Sequence, residues 1–187
     1  MGFKEQVTGC ARCPELVANR TNVVIGTGAI PCDILFLGEA PGEDEDREGV
    51  PFIGRAGQLL RIILQTLKID LGKCHILNVL KCRPPSNRDP RVVELENCRT
   101  FLEHQIKVTK PKVIVAMGRY AQAFVSGKSP SSVRVMKSVG DLVYYNKIPA
   151  VLTFHPSYLS RDRRPEIERA FRMHLKKAKK LAREKRK

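Results

Sequence analysis

Asp33-Ile34-Leu35-Phe36-Leu37-Gly38 is a nearly continuous apolar run that breaks at once into Glu39-Ala40-Pro41-Gly42. So short a run, with no polar residue at every second position, reads as a strand buried on both faces. Residues 55–68 then put Leu59, Leu60, Ile63, Leu64 and Leu67 on one helical face. The alternation continues along the chain. Residues 74–80, 112–118 and 148–154 are further apolar strands, and 142–145 is a candidate added strand. Between them, 91–108 reads as a helix opened by Asp89-Pro90, and 119–125 as a short helix. A terminal helix over about 164–183 carries Ile167, Phe171, Leu175, Ala178 and Leu181 as its buried stripe. Apolar strands alternating with helices imply an α/β fold, a three-layer α/β/α sandwich around a central, mostly parallel four-stranded sheet. One domain is expected over residues 1–187, ending in a basic helix and tail from about 164 to 187.

No window approaches the ~18–20 apolar residues of a membrane span, so no membrane partner is expected. MGFKEQVTGCARCPEL has no apolar run after its first charges, so no secretory signal is expected and a cytoplasmic location follows. With 34 Lys and Arg against 19 Asp and Glu, the net charge is +15, which favours an anionic partner such as nucleic acid. The stretch 161–187 alone carries +9 of it, and a solvated basic tail would explain that equally well.

Six cysteines without an export signal read as reduced thiols. Cys10 and Cys13 form a C-x-x-C pair; Cys82 and Cys98 are separated by fifteen intervening residues. Four sulfurs suit a tetrahedral zinc or a [4Fe–4S] cluster. A single tight pair leans toward iron–sulfur, though spacing leaves the choice open. Cys32 and Cys74 flank apolar strands and read as small buried residues.

In parallel sheets, ligands bind at the carboxyl ends of strands. Glu39 follows the first strand, Asn78 lies late in the second and His155 follows the fourth, so three distant residues meet on one rim. The run from Gly38 to Gly57, rich in glycine, proline and acids, reads as irregular backbone close to a ligand, with Phe52 placed to stack on a flat one. It lacks the phosphate-loop pattern, and its acids would repel phosphate or hold a divalent metal.

GEAPGEDEDREGVPFIGRAGQLL (38–60), LNVLKCRPPSNRDP (77–90) and TFHPSYLSRD (153–162), with the four cysteines, together resemble the family 4 uracil-DNA glycosylases. These are bacterial and archaeal base-excision repair enzymes with an iron–sulfur cluster. The resemblance implies a [4Fe–4S] cluster, structural in role, on Cys10, Cys13, Cys82 and Cys98. It makes Phe52 the stacking aromatic, Asn78 the base reader, His155 the leaving-group partner and Glu39 the water-side carboxylate. The wider superfamily often has an aspartate where Ala40 stands. Gly38, Ala40, Glu45 and Ser157 are expected around the base, with Glu45, or the backbone around Gly42, as a wall against the thymine methyl. His155-Pro156-Ser157-Tyr158-Leu159 looks like the family's minor-groove loop, with Leu159 as apolar wedge. Pro84-Pro85-Ser86 is similar to its proline-rich loop, and Lys81, Arg83, Arg88 and Arg161 are candidate phosphate contacts. The expected activity is monofunctional hydrolysis of the uracil N-glycosidic bond in single- or double-stranded DNA by a monomer in the prokaryotic cytosol; a sliding-clamp contact is left unassigned.

Two rivals stay open at this level. A non-catalytic reader of damaged DNA would need Asn78 and Phe52 but neither Glu39 nor His155. A metal-stabilised DNA-binding protein would account for charge and cysteines but not for the Gly38–Gly57 run.

Overall fold

The computed structural model describes residues 2–162 and 164–184. Six strands form one sheet: β1 (Thr27–Gly28), β2 (Ile34–Gly38), β3 (Cys74–Asn78), β4 (Val113–Met117), β5 (Leu142–Tyr145) and β6 (Ile148–Thr153). Their order is β1-β3-β2-β4-β6-β5. The central four are mutually parallel, and β1 and β5 pair antiparallel at the edges. The four expected strands are therefore the parallel core, and the candidate strand 142–145 is an edge. β1 was not anticipated, because two residues are too short to leave a periodic pattern.

Nine helices are described: α1 (Phe3–Thr8), α2 (Pro14–Asn19), α3 (Glu43–Glu48), α4 (Arg55–Thr66), α5 (Val92–Thr109), α6 (Gly118–Ser126), α7 (Val135–Ser138), α8 (Pro156–Arg161) and α9 (Pro165–Glu184). The last three residues of the expected basic tail, 185–187, lie outside the described residues.

The alternation of side chains along β2 builds two cores. Ile34 and Phe36 join Leu60, Ile63 and Leu64 of α4 and Phe171, Leu175 and Ala178 of α9. Leu35 and Leu37 face the other way, onto Leu102 and Ile106 of α5 and Ala121 and Val125 of α6. Each fully buried Leu, Ile or Phe contributes about 1.5–3 kcal/mol. A sheet covered on both faces leaves its carboxyl edge as the place where polar side chains can gather.

Two segments expected as loops are helical. In α3 the acids of Glu43-Asp44-Glu45-Asp46 occupy the first turn, where the helix dipole favours negative charge. Glu45 reaches back to the amide of Gly42 at 3.1 Å. Asp46 is buried and accepts from the amides of Thr21 and Asn22. α8 is capped by His155, whose ring accepts from the Ser157 amide, with Pro156 at the first helical position.

Candidate active site

The carboxyl ends of the parallel strands open into one cleft of about 680 Å³. β2 delivers Glu39, β3 Asn78, β4 Gly118 and Arg119, and β6 His155; Phe52 enters from the loop between α3 and α4. Glu39, Phe52, Asn78 and His155, scattered over more than a hundred residues of sequence, thus line the same cleft.

Gly38 makes the first close approach. It sits opposite Asn78 in the β2–β3 register. A Cβ on Gly38 would lie 2.3 Å from Asn78 Oδ1 and 2.5 Å from Phe52 Cζ. Only glycine lets the amide and the ring converge there. Phe52 itself has φ 55°, a left-handed conformation uncommon for a large side chain. That conformation is held by Glu45, whose Oε1 accepts from the amides of Ile53 at 3.0 Å and Gly54 at 2.8 Å. Glu45 lines the cleft, but its oxygens are committed to backbone amides, so it acts as a brace for the Phe52 loop. Ala40 lines the cleft beside it.

Asn78 is 2% exposed, and its Oδ1 has no hydrogen-bond partner. An orphaned buried acceptor costs about 1–3 kcal/mol. In a cleft, such an atom is ready for a ligand N–H.

The His155 ring lies 5.8 Å from that of Phe52, tilted by 38°. Its Nδ1 meets Ser157 Oγ at 2.8 Å and the Ser157 amide at 3.3 Å. An amide N–H only donates, so Nδ1 is the acceptor and the neutral ring carries its proton on Nε2. Burial first, and then the charge of Arg161, push the His155 pKa down to about 4. The imidazole is neutral at physiological pH. Gly118, at φ 83°, brings the end of β4 beneath it: a Cβ there would meet His155 Cβ at 3.0 Å.

Glu39 shifts the opposite way. Burial first, then the nearby Asp89 charge, push its pKa up to about 7, against the pull of Arg119 and Arg161. Asp89, expected only as a helix cap, lines the cleft, pairs with Arg119 at 3.5 Å and hydrogen-bonds the Tyr120 hydroxyl. Its position in the segment after β3, at the carboxyl edge, was the signal available in the sequence.

The expected DNA contacts divide. Pro84, Tyr158 and Arg161 line the cleft, as does Ser157, expected beside the base; Pro85 opens the 3-10 turn Pro85–Asn87, on which Ser86 is exposed with φ 52°. Arg83 is tied to Asn87 and Glu43, and Arg88 to Glu94 and Glu15. Lys81 is 1% exposed, with Nζ donating to the Asn78 carbonyl, so it does not present its charge to a phosphate. Burial lowers its pKa to about 8, while Cys98 and Cys82 act to raise it. Leu159 is 7% exposed and belongs to the core, because α8 folds it inward against α4. It is not displayed as a wedge; an exposed apolar side chain of the cleft lining is Met136, on α7, at 57%.

Cys10, Cys13, Cys82 and Cys98 line a second pocket, and none of them is joined in a disulfide. Arg20 Nη1 donates to Cys82 Sγ at 3.2 Å, Asn97 Nδ2 to Cys13 Sγ at 3.5 Å, and the Lys81 amide to Cys98 Sγ. Four sulfurs with N–H donors aimed at three of them match the donor chemistry of a thiolate-held centre. Among the described residues, these sulfurs are not gathered into a group that could hold an ion as they stand. Cys32 and Cys74 are buried, and burial pushes both thiols up to about 12. No helix among the described residues is long and apolar enough to cross a membrane.

The profile of the uracil DNA glycosylase superfamily matches residues 25–179. A type-4 uracil-DNA glycosylase of Thermotoga maritima is 46% identical over 176 residues, 94% of this chain and 90% of the relative. Those of Sulfurisphaera tokodaii and Archaeoglobus fulgidus are 37% and 36% identical, spanning 96% and 92% of this chain and 83% and 87% of theirs.

Proposed function

We propose, for a chain that belongs to the uracil DNA glycosylase superfamily and to its type-4 branch, that it is a monofunctional glycosylase excising uracil from DNA in base-excision repair. The observation that carries this reading is the unpartnered Asn78 Oδ1 in the same cleft as the rings of Phe52 and His155.

A base inside a duplex is out of reach, so the nucleotide swings into the cleft at a cost of a few kcal/mol. Phe52 stacks on it, worth about 1–3 kcal/mol and indifferent to base identity. Asn78 supplies identity. Its Oδ1 accepts from uracil N3–H while Nδ2 donates to O4. Cytosine offers a bare N3 and an amino group, so both contacts are lost and buried polar groups stay unpaired at about 1–3 kcal/mol each.

As the N-glycosidic bond breaks, negative charge grows on uracil O2. The neutral His155 donates Nε2–H to that oxygen without carrying a charge into the ground state. Positive charge grows on the sugar. Glu39, once ionised, faces it and orients the attacking water, and Asp89 strengthens the negative field on that side. Arg119 and Arg161 flank the carboxylates and suit the DNA backbone. The four cysteines would hold a [4Fe–4S] cluster whose contribution is structural, joining the N-terminal segment to the loop after β3 and to α5. The protein acts as a monomer of one domain in the cytosol.

Incubation with a uracil-containing oligonucleotide followed by alkali tests this reading. Strand scission at the uracil is expected. Intact strands with retained binding would overturn the enzymatic reading in favour of a reader of damaged DNA.

A further inference from the structure

Lys81 is among the largest fully buried side chains of the protein, and it touches both sites. Its Nζ donates to the main-chain carbonyl of Asn78 at 2.5 Å. Its own amide donates to Cys98 Sγ, and its carbonyl accepts from the Val24 amide at 2.7 Å. The side chain lines the pocket shared by Cys10, Cys13, Cys82 and Cys98. A buried ammonium with one neutral carbonyl as its hydrogen-bond acceptor is costly, and a methionine would fill the same volume without that cost. Burial pushes the Cys82 and Cys98 thiols up, so the cost is offset only when the four cysteines hold the proposed cluster as thiolates and supply negative charge next door. The carbonyl that the ammonium grips belongs to the residue whose side chain enters the cleft at the end of β3.

We propose that Lys81 is a positioning residue that couples the four-cysteine site to base reading: its ammonium, balanced by the thiolates, fixes the Asn78 backbone and so the orientation of the Asn78 amide. This inference rests on the assignment of Asn78 as the base reader. It also gives the cysteine site a direct bearing on recognition, beyond tying segments together.

The test uses the full chain as wild type, Lys81→Met, Asn78→Ala and the double variant, with free uracil affinity read by NMR titration and iron per chain by colorimetry. Lys81→Met is expected to weaken uracil about tenfold and to lower iron per chain. On the Asn78→Ala background the same substitution changes uracil affinity less than about twofold, since the amide it positions is gone. Unchanged uracil affinity in Lys81→Met, or an equal loss on both backgrounds, would overturn the coupling. Should Lys81→Met not fold, Lys81→Gln keeps a donor for the Asn78 carbonyl while removing the charge. It is expected to lower iron per chain while holding uracil within about threefold of wild type; full iron content would overturn the counter-charge role. A wild type that binds uracil yet leaves uracil oligonucleotides intact refutes the glycosylase reading alone. Cleavage by the wild type, with Lys81→Met binding uracil normally, refutes this inference alone.

Discussion

Gly38→Ala is the sharpest perturbation of the cleft. The added Cβ would stand 2.3 Å from Asn78 Oδ1 and 2.5 Å from Phe52 Cζ, both far inside contact distance. One of the two side chains must move. Displacing the ring forfeits stacking worth about 1–3 kcal/mol, and turning the amide forfeits base hydrogen bonds of about 1–3 kcal/mol. Losing one contact lowers kcat/KM by roughly tenfold to a hundredfold, and losing both by roughly 10²–10⁴-fold. The fold has little reason to fail, because Gly38 ends β2 and its carbonyl keeps its bond from the Val79 amide at 3.1 Å. The assay is single-turnover excision of uracil from an oligonucleotide, with thermal unfolding measured on the same sample. Activity within about threefold of wild type, in a variant of unchanged Tm, would refute the claim that amide and ring meet over this glycine.

Other outcomes follow from the same cleft. Activity should rise with pH through about 7 as Glu39 ionises, with no limb near 6.5 from His155, which is already neutral above about 4. Asp89→Asn removes a charge that holds the Glu39 proton on, so the rise should move to lower pH; an unmoved profile in rate measurements across pH 5–9 would contradict the pairing. For stability the sign is separate. Because the Glu39 pKa is raised on folding, its contribution is present at low pH and is lost as pH climbs through about 7. Leu159→Ala should cost about 2–5 kcal/mol of stability as a core truncation, seen as a lower Tm; unchanged stability with lost base eversion would restore its role as wedge. Glu45→Gln should weaken the clamp on the Ile53 and Gly54 amides and raise KM about tenfold, with kcat less affected, in steady-state excision.

The parallel core was legible because strands buried on both faces leave unbroken apolar runs, as at 33–38 and 112–118. The rim was legible for the same reason: once the strands are placed, Glu39, Asn78 and His155 fall at their carboxyl ends. What escaped depends on partners distant in sequence. Lys81 carries a charge and follows a strand, which suggests the surface, yet tertiary packing puts it between Asn78 and the cysteines. Leu159 stands in a motif that resembles a wedge loop, but a six-residue helix capped by its own histidine turns it inward. The acids of 43–46 look like a solvated or metal-binding loop. Two of them instead hold backbone amides, and that use of Glu45 shapes the turn at Phe52. Asp89 hid behind a plausible role as a cap before a proline.

A crystal structure of the protein with free uracil measures the central arrangement directly. The ring should lie on Phe52, with N3 and O4 on the Asn78 amide and O2 within hydrogen-bond reach of His155 Nε2. Uracil bound outside this cleft, or inside it with its N3–O4 edge turned from Asn78, would contradict the account.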